Sequence, residues 1–457
     1  MVYNADFISH DEPIVINYLT GAGFQNYLEN LGDIAKPIWQ EIRATIEDFA
    51  PRLVGISCKS QNFASASKVA QLAKTVNPDM VVVIGGPHPS IQKTAVLKEE
   101  CFDIAVFGEG EMTIIDVLEA QEGHKALAEI PGIAYRQGGD VIVNASRELM
   151  INLDILPFPI SSAPQVLKDY SRYPKEAFRN IFATRGCPYN CSFCGSRYIW
   201  TRKPRFRSVA NVIQEIKELQ KLRLNWIHFD DDTFGIKKEY IKELADALVR
   251  QCPDISWSCE LHVKLVDPEI IGLMKKAGCK AIQIGVESGN NEILKDIRKG
   301  ITIDDAINAA RIIKKANIAL EVFFMVGFPQ ETEDTLNDTI KAMRKIPCDT
   351  INYSIFTPYP GTEIFAYCQQ QGMIPDDYDL SMFNHQSPVN YFCPQIPREK
   401  FHTLIRMMER EIVRLNSYKR LKRFLSYEGY LKIKDKGILN SFARLSSYLC
   451  ELLRTRK

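Results

Sequence analysis

Short β-branched runs alternate with amphipathic helical patterns along most of the chain, and this alternation limits the fold to the α/β class. Three such runs lie in the first 120 residues, at 53–58, 81–86 and 103–108. They predict a Rossmann-like, doubly wound parallel sheet. Six more runs follow at 180–185, 226–232, 256–261, 281–287, 319–327 and 350–356. The first five of these six each precede a helical pattern, so the set predicts a partial (β/α)6 barrel.

Two features separate these regions. A hairpin with a Gly-Gly turn is predicted over 132–145, and a proline-containing stretch follows over 153–164. From about Phe401 the pattern becomes helical. The sequence therefore predicts a Rossmann-like domain, a hairpin with linker, a barrel, and a helical C-terminal region with a basic tail, over residues 1–125, 126–175, 176–375 and 376–457.

Composition excludes several classes of protein. Lys and Arg (57) nearly balance Asp and Glu (56), so overall charge gives no sign of nucleic-acid binding. No apolar run reaches the roughly 18 residues of a membrane span. The N-terminal sequence lacks a signal-peptide pattern, and the twelve cysteines are spread through a large chain. We therefore expect reduced thiols and a cytoplasmic protein.

Three closely spaced cysteines follow the first predicted barrel strand, in the segment RGCPYNCSFCGS. Loops at this end of barrel strands carry the chemistry of such folds. Cys187, Cys191 and Cys194 could supply three thiolates to a cubane iron–sulfur cluster and leave its fourth iron open. A zinc site would need a fourth Cys or His, and the next twenty residues contain none. The spacing therefore favours a cluster.

The C-x3-C-x2-C spacing resembles the signature of the radical S-adenosylmethionine (SAM) superfamily, and the resemblance covers most of residues 180–365. It implies that the cysteines hold a [4Fe–4S] cluster, that SAM binds the open iron, and that SAM is cleaved to a 5′-deoxyadenosyl radical. The protein then supplies position and excludes water and oxygen. Phe193 matches the family's adenine-side residue, and simple packing is the alternative for this aromatic side chain.

Two later strand ends resemble the SAM-binding motifs of the same enzymes. FDDDTFG is similar to the second-strand motif, which implies that Asp231 and Asp232 accept hydrogen bonds from the SAM ammonium group. Capping of the next helix by Asp232 or Thr233 is the alternative. GVESGNNEIL is similar to the fourth-strand motif, which implies that Glu287 and Ser288 lie near the ribose and carboxylate of SAM.

The remaining strand ends are less informative. On the third strand, ELHVKL places Glu260 and His262 where many relatives have arginine, and the sequence assigns neither a ligand. A core or surface histidine is the default interpretation. The fifth and sixth strands end in MVGFPQET and FTPYPGTEIF, whose glycines and prolines are expected to shape loops.

The N-terminal sheet carries its own candidate site. GGPHPS and VFGEGEMT follow successive strands, where doubly wound sheets bind ligands. A Rossmann-like domain ahead of such a barrel resembles the cobalamin-binding branch of the superfamily. The resemblance implies cobalamin contacts from loops 57–61, 85–90 and 108–113, because glycine lets backbone approach a corrin closely. The candidate residues are Ser57, Gln61, Gly85, Gly86, His88, Gly108, Glu109 and Gly110.

Three details qualify this site. The Asp-x-His-x-x-Gly motif is absent, so we expect His88 to be a loop residue rather than a cobalt ligand. MVYNADF is similar to the second strand of such domains, so the domain is expected to be abbreviated. Cys58 and Cys101 invite comparison with methylthiotransferases, which carry three N-terminal cysteines. Here two are available, and buried core thiols are the simpler interpretation.

Together these features predict a radical SAM enzyme catalysing cobalamin-dependent methylation of an unactivated carbon. The alternatives left open are ring formation, oxidation or rearrangement without methyl transfer, a methylthiotransferase-like enzyme, and a cluster-binding protein without turnover. The expected partners are a small-molecule or lipid-like substrate and a flavodoxin- or ferredoxin-type electron donor. Residues 417–457 carry eleven Lys and Arg against three acids. This tail suits a solvated helix face or peripheral contact with anionic lipid better than nucleic acid.

Overall fold

A computed structural model describes residues 1–4, 22–375, 378–382, 384–385, 387 and 389–424. These residues form two compact units. The first contains residues 1–224 and the described part of 357–389, and the second contains 225–356 and the described residues from 390 onward. These limits differ from the predicted domain limits, because the cysteine motif packs in the same unit as the N-terminal sheet.

Strands and helices alternate through the described chain. The strands are β1 (Leu53–Ser57), β2 (Val81–Gly85), β3 (Ile104–Val106), β4 (Ile133–Gln137), β5 (Asp140–Val143), β6 (Asn180–Ile181), β7 (Thr184–Arg185), β8 (Arg205–Phe206), β9 (Trp226–Phe234), β10 (Ser256–Leu261), β11 (Cys279–Glu287), β12 (Ala319–Val326) and β13 (Thr350–Ile355). The helices are α1 (Ala22–Gly32), α2 (Pro37–Phe49), α3 (Phe63–Val76), α4 (Pro87–Gln92), α5 (Glu111–Gln121), α6 (Pro159–Val166), α7 (Ser196–Trp200), α8 (Val209–Lys221), α9 (Lys238–Gln251), α10 (Pro268–Lys276), α11 (Asn291–Asp296), α12 (Ile303–Lys315), α13 (Glu333–Lys345), α14 (Glu363–Gln370) and α15 (Arg398–Phe424).

The first unit is built on a five-stranded sheet in the order β1-β2-β3-β4-β5. The first three strands are parallel, and β4 and β5 add to the edge as an antiparallel hairpin. The predicted hairpin thus extends the N-terminal sheet. Gly138 and Gly139 both have positive φ (60° and 94°), as a two-residue turn between twisted strands requires.

Apolar side chains cover both faces of this sheet. Val82 and Ile84 pack in one core cluster with residues of α2 and α3, whereas Val83 packs in another with Val117 of α5. Successive strand residues point to opposite faces, so a strand buried on both sides needs apolar residues throughout. The predicted doubly wound sheet is therefore present. Of the segment MVYNADF, Val2 forms one bridge with Leu167, and residues 5–7 lie outside the described residues.

The predicted strand 180–185 is divided into β6 and β7. β7 pairs antiparallel with β8, so Arg185 lies opposite Arg205. Gly186 has φ +97°, a conformation that ends the strand and that L side chains rarely adopt. Residues 186–204, which we call the cysteine loop, leave the sheet between these two arginines and contain all three cysteines of the motif.

The second unit contains five parallel strands in the order β13-β12-β11-β10-β9. Ile284 and Val322 are buried, whereas the alternating Gln283 and Glu321 are partly exposed. The sheet therefore has one apolar face and one polar face. Four of the five helices between these strands, α10 to α13, begin at side-chain caps, which satisfy free backbone N–H groups. These caps are Asp267, Asn290, Thr302 and Thr332.

The C-terminal region begins with α15, in agreement with the helical pattern after Phe401. Residues 425–457, which hold most of the basic tail, lie outside the described residues. In the described part of the chain, no helix combines the length and the hydrophobicity needed to cross a bilayer.

Glu331 is a fully buried carboxyl group in the turn between β12 and α13. Its Oε2 accepts hydrogen bonds from the backbone N–H groups of Gly327 and Phe328. Its Oε1 has no hydrogen-bond partner among the described residues. Burial raises the pKa of Glu331 from 4.5 to about 8, and the two N–H donors only partly oppose this shift. The carboxyl group is therefore mainly neutral at pH 7.

This burial makes stability pH-dependent. Between pH 4.5 and about 8 the unfolded chain releases the Glu331 proton while the folded chain keeps it, so stability falls as pH rises. E331Q keeps an acceptor oxygen for both N–H groups and cannot ionise. We expect the wild type to lose roughly 3 kcal/mol more than E331Q between pH 5 and 8. Urea unfolding at both pH values measures this, and parallel pH profiles for the two proteins would contradict it.

Candidate functional site

The three cysteines of the motif differ from the other cysteines of the described chain. Cys187, Cys191 and Cys194 are partly exposed, whereas the other eight are buried, and none of the eleven forms a disulfide. Cys194 N donates to the carbonyl of Cys191 (3.3 Å), so the second and third cysteines share a tight turn. Partly exposed thiols on one loop can reach a cofactor. This arrangement fits the predicted cluster.

The donor set of the cysteine loop fits a cluster better than a zinc ion. Three cysteine thiolates can each bind a different iron of a cubane cluster. A structural zinc site needs a fourth Cys or His ligand, and residues 186–204 contain no further Cys or His.

Neighbouring elements of the first unit hold the cysteine loop in place. Ile364 N, at the start of α14, donates to the carbonyl of Ser192 (3.3 Å). Half-buried Phe193, the predicted adenine-side residue, comes next in the loop. Ile91 of α4 packs against Gly195 and Gly361, and a Cβ at Gly361 would lie 2.0 Å from Ile91 Cγ2. Gly361 is needed because Ile91 occupies the space of its missing side chain, whereas a Cβ at Gly195 would lie 3.4 Å from Ile91 Cδ1.

Three loops follow β1, β2 and β3 at one edge of the first sheet, and hydrogen bonds join them directly. Cys58 N donates to the Gly85 carbonyl (2.8 Å), and Gly108 N donates to Ser90 Oγ (2.9 Å). Gly86 has φ +98°, and a Cβ there would lie 2.9 Å from Cys58 N. The structure thus brings together loops 57–61, 85–90 and 108–113. Their close backbone approach fits the predicted cobalamin cradle.

The side chains of these loops are not equally accessible to a ligand. Ser57 and the backbone of Gly110 lie at the loop surface, whereas Gln61 Nε2 donates to Tyr359 Oη (3.0 Å). His88 is buried, with its Nδ1 3.0 Å from Ser60 Oγ. Burial lowers the pKa of His88 to about 4, so its ring is neutral at pH 7. Its ring lines a cavity of about 540 Å³ in the first unit.

The carboxylate of Glu109 has partners inside the protein. Arg185 Nη1 and Arg205 Nη1 each donate to it at 2.8 Å, and its side chain is 5% exposed. A corrin contact by this carboxylate, as the sequence predicted, would require breaking these ion pairs. Cys58 and Cys101 are also unavailable, because burial raises the pKa values of their thiols to about 12 and about 11. They remain protonated core residues.

The structure separates the aspartates of β9. Asp232 is exposed on the polar face, whereas Asp231 is 2% exposed on the opposite, buried face. The period-two alternation of a strand makes this division unavoidable. The alternative that Asp232 or Thr233 caps the next helix is wrong, because β9 continues through Phe234 and α9 begins only at Lys238.

Glu287 forms a buried ion pair that the sequence analysis missed. Its Oε1 lies 2.7 Å from Lys299 Nζ, and the two side chains are 12% and 10% exposed. A Cβ at Gly285 would lie 2.3 Å from Glu287 Oε1, so the pair covers this glycine. Glu287 has φ +70°. The lysine lies twelve residues away, across α11, where no periodicity marks a partner. Ser288 is buried, with its Oγ 3.3 Å from Thr339 Oγ1.

Glu260 and His262 lie in different environments. Glu260 retains contact with solvent on the polar face. Desolvation by the surrounding protein raises its pKa to about 7, and the nearby carboxylates of Asp230 and Asp232 add to this shift. His262 is buried, accepts from Lys264 N (3.3 Å) at Nδ1, and donates from Nε2 to the Lys299 carbonyl (3.2 Å). Burial lowers the pKa of His262 to about 3, so it is a neutral structural residue.

Comparison with known proteins identifies relatives of both units. The model of the radical SAM superfamily matches residues 181–343, and that of the B12 binding domain matches residues 13–118. The uncharacterized methyltransferase PH0819 of Pyrococcus horikoshii is 33% identical over 331 residues, which are 72% of each chain. The anaerobic magnesium-protoporphyrin IX monomethyl ester cyclase of Rubrivivax gelatinosus is 28% identical, over 76% of this chain and 63% of the cyclase.

A solved structure supports the same architecture. The radical SAM methyltransferase TsrM from Kitasatospora setae, with cobalamin and a [4Fe–4S] cluster bound, has a TM-score of 0.64 at 18% identity. The match covers 80% of this chain and 77% of TsrM. The predicted combination of a Rossmann-like sheet with a partial β/α barrel is confirmed. The radical SAM match includes the three cysteines, Glu287 and Lys299.

Removal of Lys299 tests the buried ion pair. K299M leaves the Glu287 carboxylate without its counter-charge, so we expect the free energy of unfolding to fall by about 3 kcal/mol. K341M, which removes a lysine 62% exposed and paired with Asp338, is the matched control and should cost less than about 1 kcal/mol. The double variant E287Q/K299M should recover part of the loss. Equal losses for K299M and K341M in urea unfolding would contradict a special role for the pair.

Proposed function

The chain belongs to the radical SAM superfamily and carries a B12-binding domain, and we propose that it is a cobalamin-dependent methyltransferase acting on an unactivated carbon of a small molecule. One observation carries this proposal. The partly exposed cysteines and the three sheet-edge loops 57–61, 85–90 and 108–113 belong to the same compact unit. A chain built this way can hold a cluster and a corrin in one fixed framework.

The cofactors of such an enzyme are a [4Fe–4S] cluster, SAM and cobalamin. When bound, the cluster and SAM supply a radical that removes hydrogen from carbon, and cobalamin supplies the methyl group. Cys187, Cys191 and Cys194 hold the cluster. The backbone of loops 57–61, 85–90 and 108–113 holds cobalamin, with glycines at the close approaches. His88 lies in the first turn of α4 instead of a loop, as a neutral residue hydrogen-bonded to Ser60.

The polar face of the second unit supplies side chains that orient SAM. Asp232 is exposed and can accept hydrogen bonds from an ammonium group. Glu287 lies at the end of β11, where the ion pair between its Oε1 and Lys299 Nζ orients the carboxylate and compensates its charge. Asp231 is assigned a buried role in β9 instead of direct SAM contact. Glu260, with its pKa near 7, can hold or release a proton on this face.

One second function has specific support. The similarity to a magnesium-protoporphyrin IX monomethyl ester cyclase favours a ring-forming reaction without methyl transfer. Both reactions begin with SAM cleavage, and methyl transfer additionally converts SAM to S-adenosylhomocysteine. A second cluster of the methylthiotransferase kind would need accessible N-terminal thiols, whereas Cys58 and Cys101 are buried core thiols. In either function we propose a flavodoxin- or ferredoxin-type electron donor, a lipid-like or other small substrate, and a reducing cytoplasm.

Cysteine substitution tests the cluster assignment. C187A, C191A and C194A each remove one thiolate, so each should reduce iron and sulfide incorporation at least several-fold after anaerobic reconstitution. C101A removes a buried cysteine outside the motif and is the control, because it should keep the full complement. Iron and acid-labile sulfide analysis with absorbance spectra gives the readout. Full incorporation by the triple variant would contradict the assignment.

SAM products distinguish methyl transfer from ring formation without knowledge of the substrate. With the cluster and hydroxocobalamin loaded and a strong reductant present, we expect both 5′-deoxyadenosine and S-adenosylhomocysteine. Omission of cobalamin should abolish only S-adenosylhomocysteine, because methyl transfer passes through cobalamin. Chromatography of the quenched mixture measures both products. Formation of 5′-deoxyadenosine alone, with cobalamin bound, would favour the cyclase-like function.

A further inference from the structure

Glu109 uses both carboxylate oxygens inside the first unit. Oε1 accepts from Arg185 Nη1, and Oε2 accepts from Arg205 Nη1, both at 2.8 Å. Oε2 also accepts from the backbone N–H of Met150 (2.7 Å). Burial alone would raise the pKa of Glu109, but hydrogen bonds from Arg205 and Arg185 hold it below its usual value. The group is therefore a buried anion saturated by protein partners.

The two arginines need this anion. Arg185 and Arg205 lie directly opposite each other in the β7–β8 ladder, where like charges repel. Both side chains are 13% exposed. Arg205 Nε and Nη2 have no hydrogen-bond partner among the described residues, so Glu109 is the counter-charge of this guanidinium. Without Glu109, Arg205 would lose its carboxylate partner and would lie opposite Arg185, which keeps an ion pair with Glu111.

These arginines flank the cysteine loop. Arg185 immediately precedes Gly186 and Cys187, and Arg205 is the first residue after the loop. Arg185 also lies over the rings of Phe182 and Trp200, at 4.8 Å and 5.0 Å from their centroids. Trp200 ends α7, inside the loop. Glu109 thus binds the residues at both ends of the cysteine loop, and Arg185 also contacts the end of α7.

Glu109 itself belongs to the loop after β3, between Gly108 and Gly110. Gly108 N donates to Ser90 Oγ, which in turn donates to the Gly86 carbonyl (2.7 Å). Glu111, two residues further on, forms a second ion pair with Arg185 (2.6 Å). The loop after β3 is therefore fixed on one side to the neighbouring sheet-edge loop and on the other to the cysteine loop.

We infer that Glu109 is a positioning residue. By binding both Arg185 and Arg205, it holds the two ends of the cysteine loop together and connects them to the glycine-containing loop after β3. We call this contact the Glu109 bridge. The inference rests on the proposed function, because it concerns how the cluster-binding loop is held. It assigns the carboxylate to the protein framework and leaves only the backbone of this loop for cobalamin.

E109Q tests the bridge, since it keeps size and some hydrogen bonding but removes the charge. E47Q is the matched control, because Glu47 pairs with Arg43 on the exposed surface. In the apo protein we expect amide hydrogen exchange in peptides covering 184–206 to accelerate about tenfold in E109Q and to stay unchanged in E47Q. In the reconstituted enzyme, iron release to a chelator should accelerate by a similar factor, with hydroxocobalamin affinity within about twofold of wild type.

A second substitution separates charge balance from packing. If E109Q acts by leaving Arg205 without a carboxylate partner opposite Arg185, removal of Arg205 should partly repair it, so E109Q/R205Q should release iron more slowly than E109Q. A role in packing alone predicts that the double variant releases iron faster than either single variant. R205Q by itself leaves Glu109 paired with Arg185 and should have a smaller effect than E109Q. Far-UV circular dichroism checks that each variant folds.

The outcomes are distinct from those of the proposed function. Wild-type exchange and iron retention in E109Q would overturn the bridge, and loss of cobalamin affinity with an unchanged cluster would overturn it in favour of a cofactor contact. Failure of the wild type to take up a cluster would instead count against the proposed function. The exchange experiment on apo protein does not depend on any cofactor. It therefore tests the bridge even in that case.

Discussion

The ion pairs between Glu109 and two arginines join the sheet edge of the first unit to the loop that carries the cluster cysteines. A buried carboxylate is stable only with opposite charge nearby, and two guanidiniums opposed in a ladder are stable only with an anion between them. Arg185 and Arg205 are separated by the cysteine loop, and Glu109 belongs to the sheet edge. The same contact thus satisfies three charges and fixes the loop that carries the cluster ligands. The hydrogen bonds among the sheet-edge loops extend this framework.

The second unit follows from strand alternation. Parallel strands with helices on one face bury alternate residues and leave the others on the polar face. This places Asp232, Glu260 and Glu287 on or near one surface while burying Asp231. Desolvation and the neighbouring acidic groups together raise the pKa of Glu260, and Lys299 neutralises Glu287. The arrangement can therefore orient a charged cofactor while keeping its own charge limited.

Much of this organisation could be predicted from the sequence. Hydrophobic periodicity located β1 to β3 and β9 to β13, and Gly138-Gly139 identified the hairpin, because these signals are local. The cysteine spacing identified the cluster loop for the same reason. Periodicity did not locate β8. It also did not show that β6 and β7 are separate strands, since β7 pairs with β8, which lies about twenty residues further along the chain. The partners Glu109–Arg185 and Glu287–Lys299 were missed, because long-range ion pairs leave no spacing signal in one sequence.

The account depends on a [4Fe–4S] cluster whose fourth iron is open to SAM. Electron paramagnetic resonance of the anaerobically reconstituted and reduced wild-type protein, recorded before and after addition of SAM, tests this most directly. We predict the signal of a reduced [4Fe–4S] cluster and a change in its g-values when SAM binds the open iron. A spectrum unaltered by saturating SAM, or the absence of any cluster signal, would contradict the account.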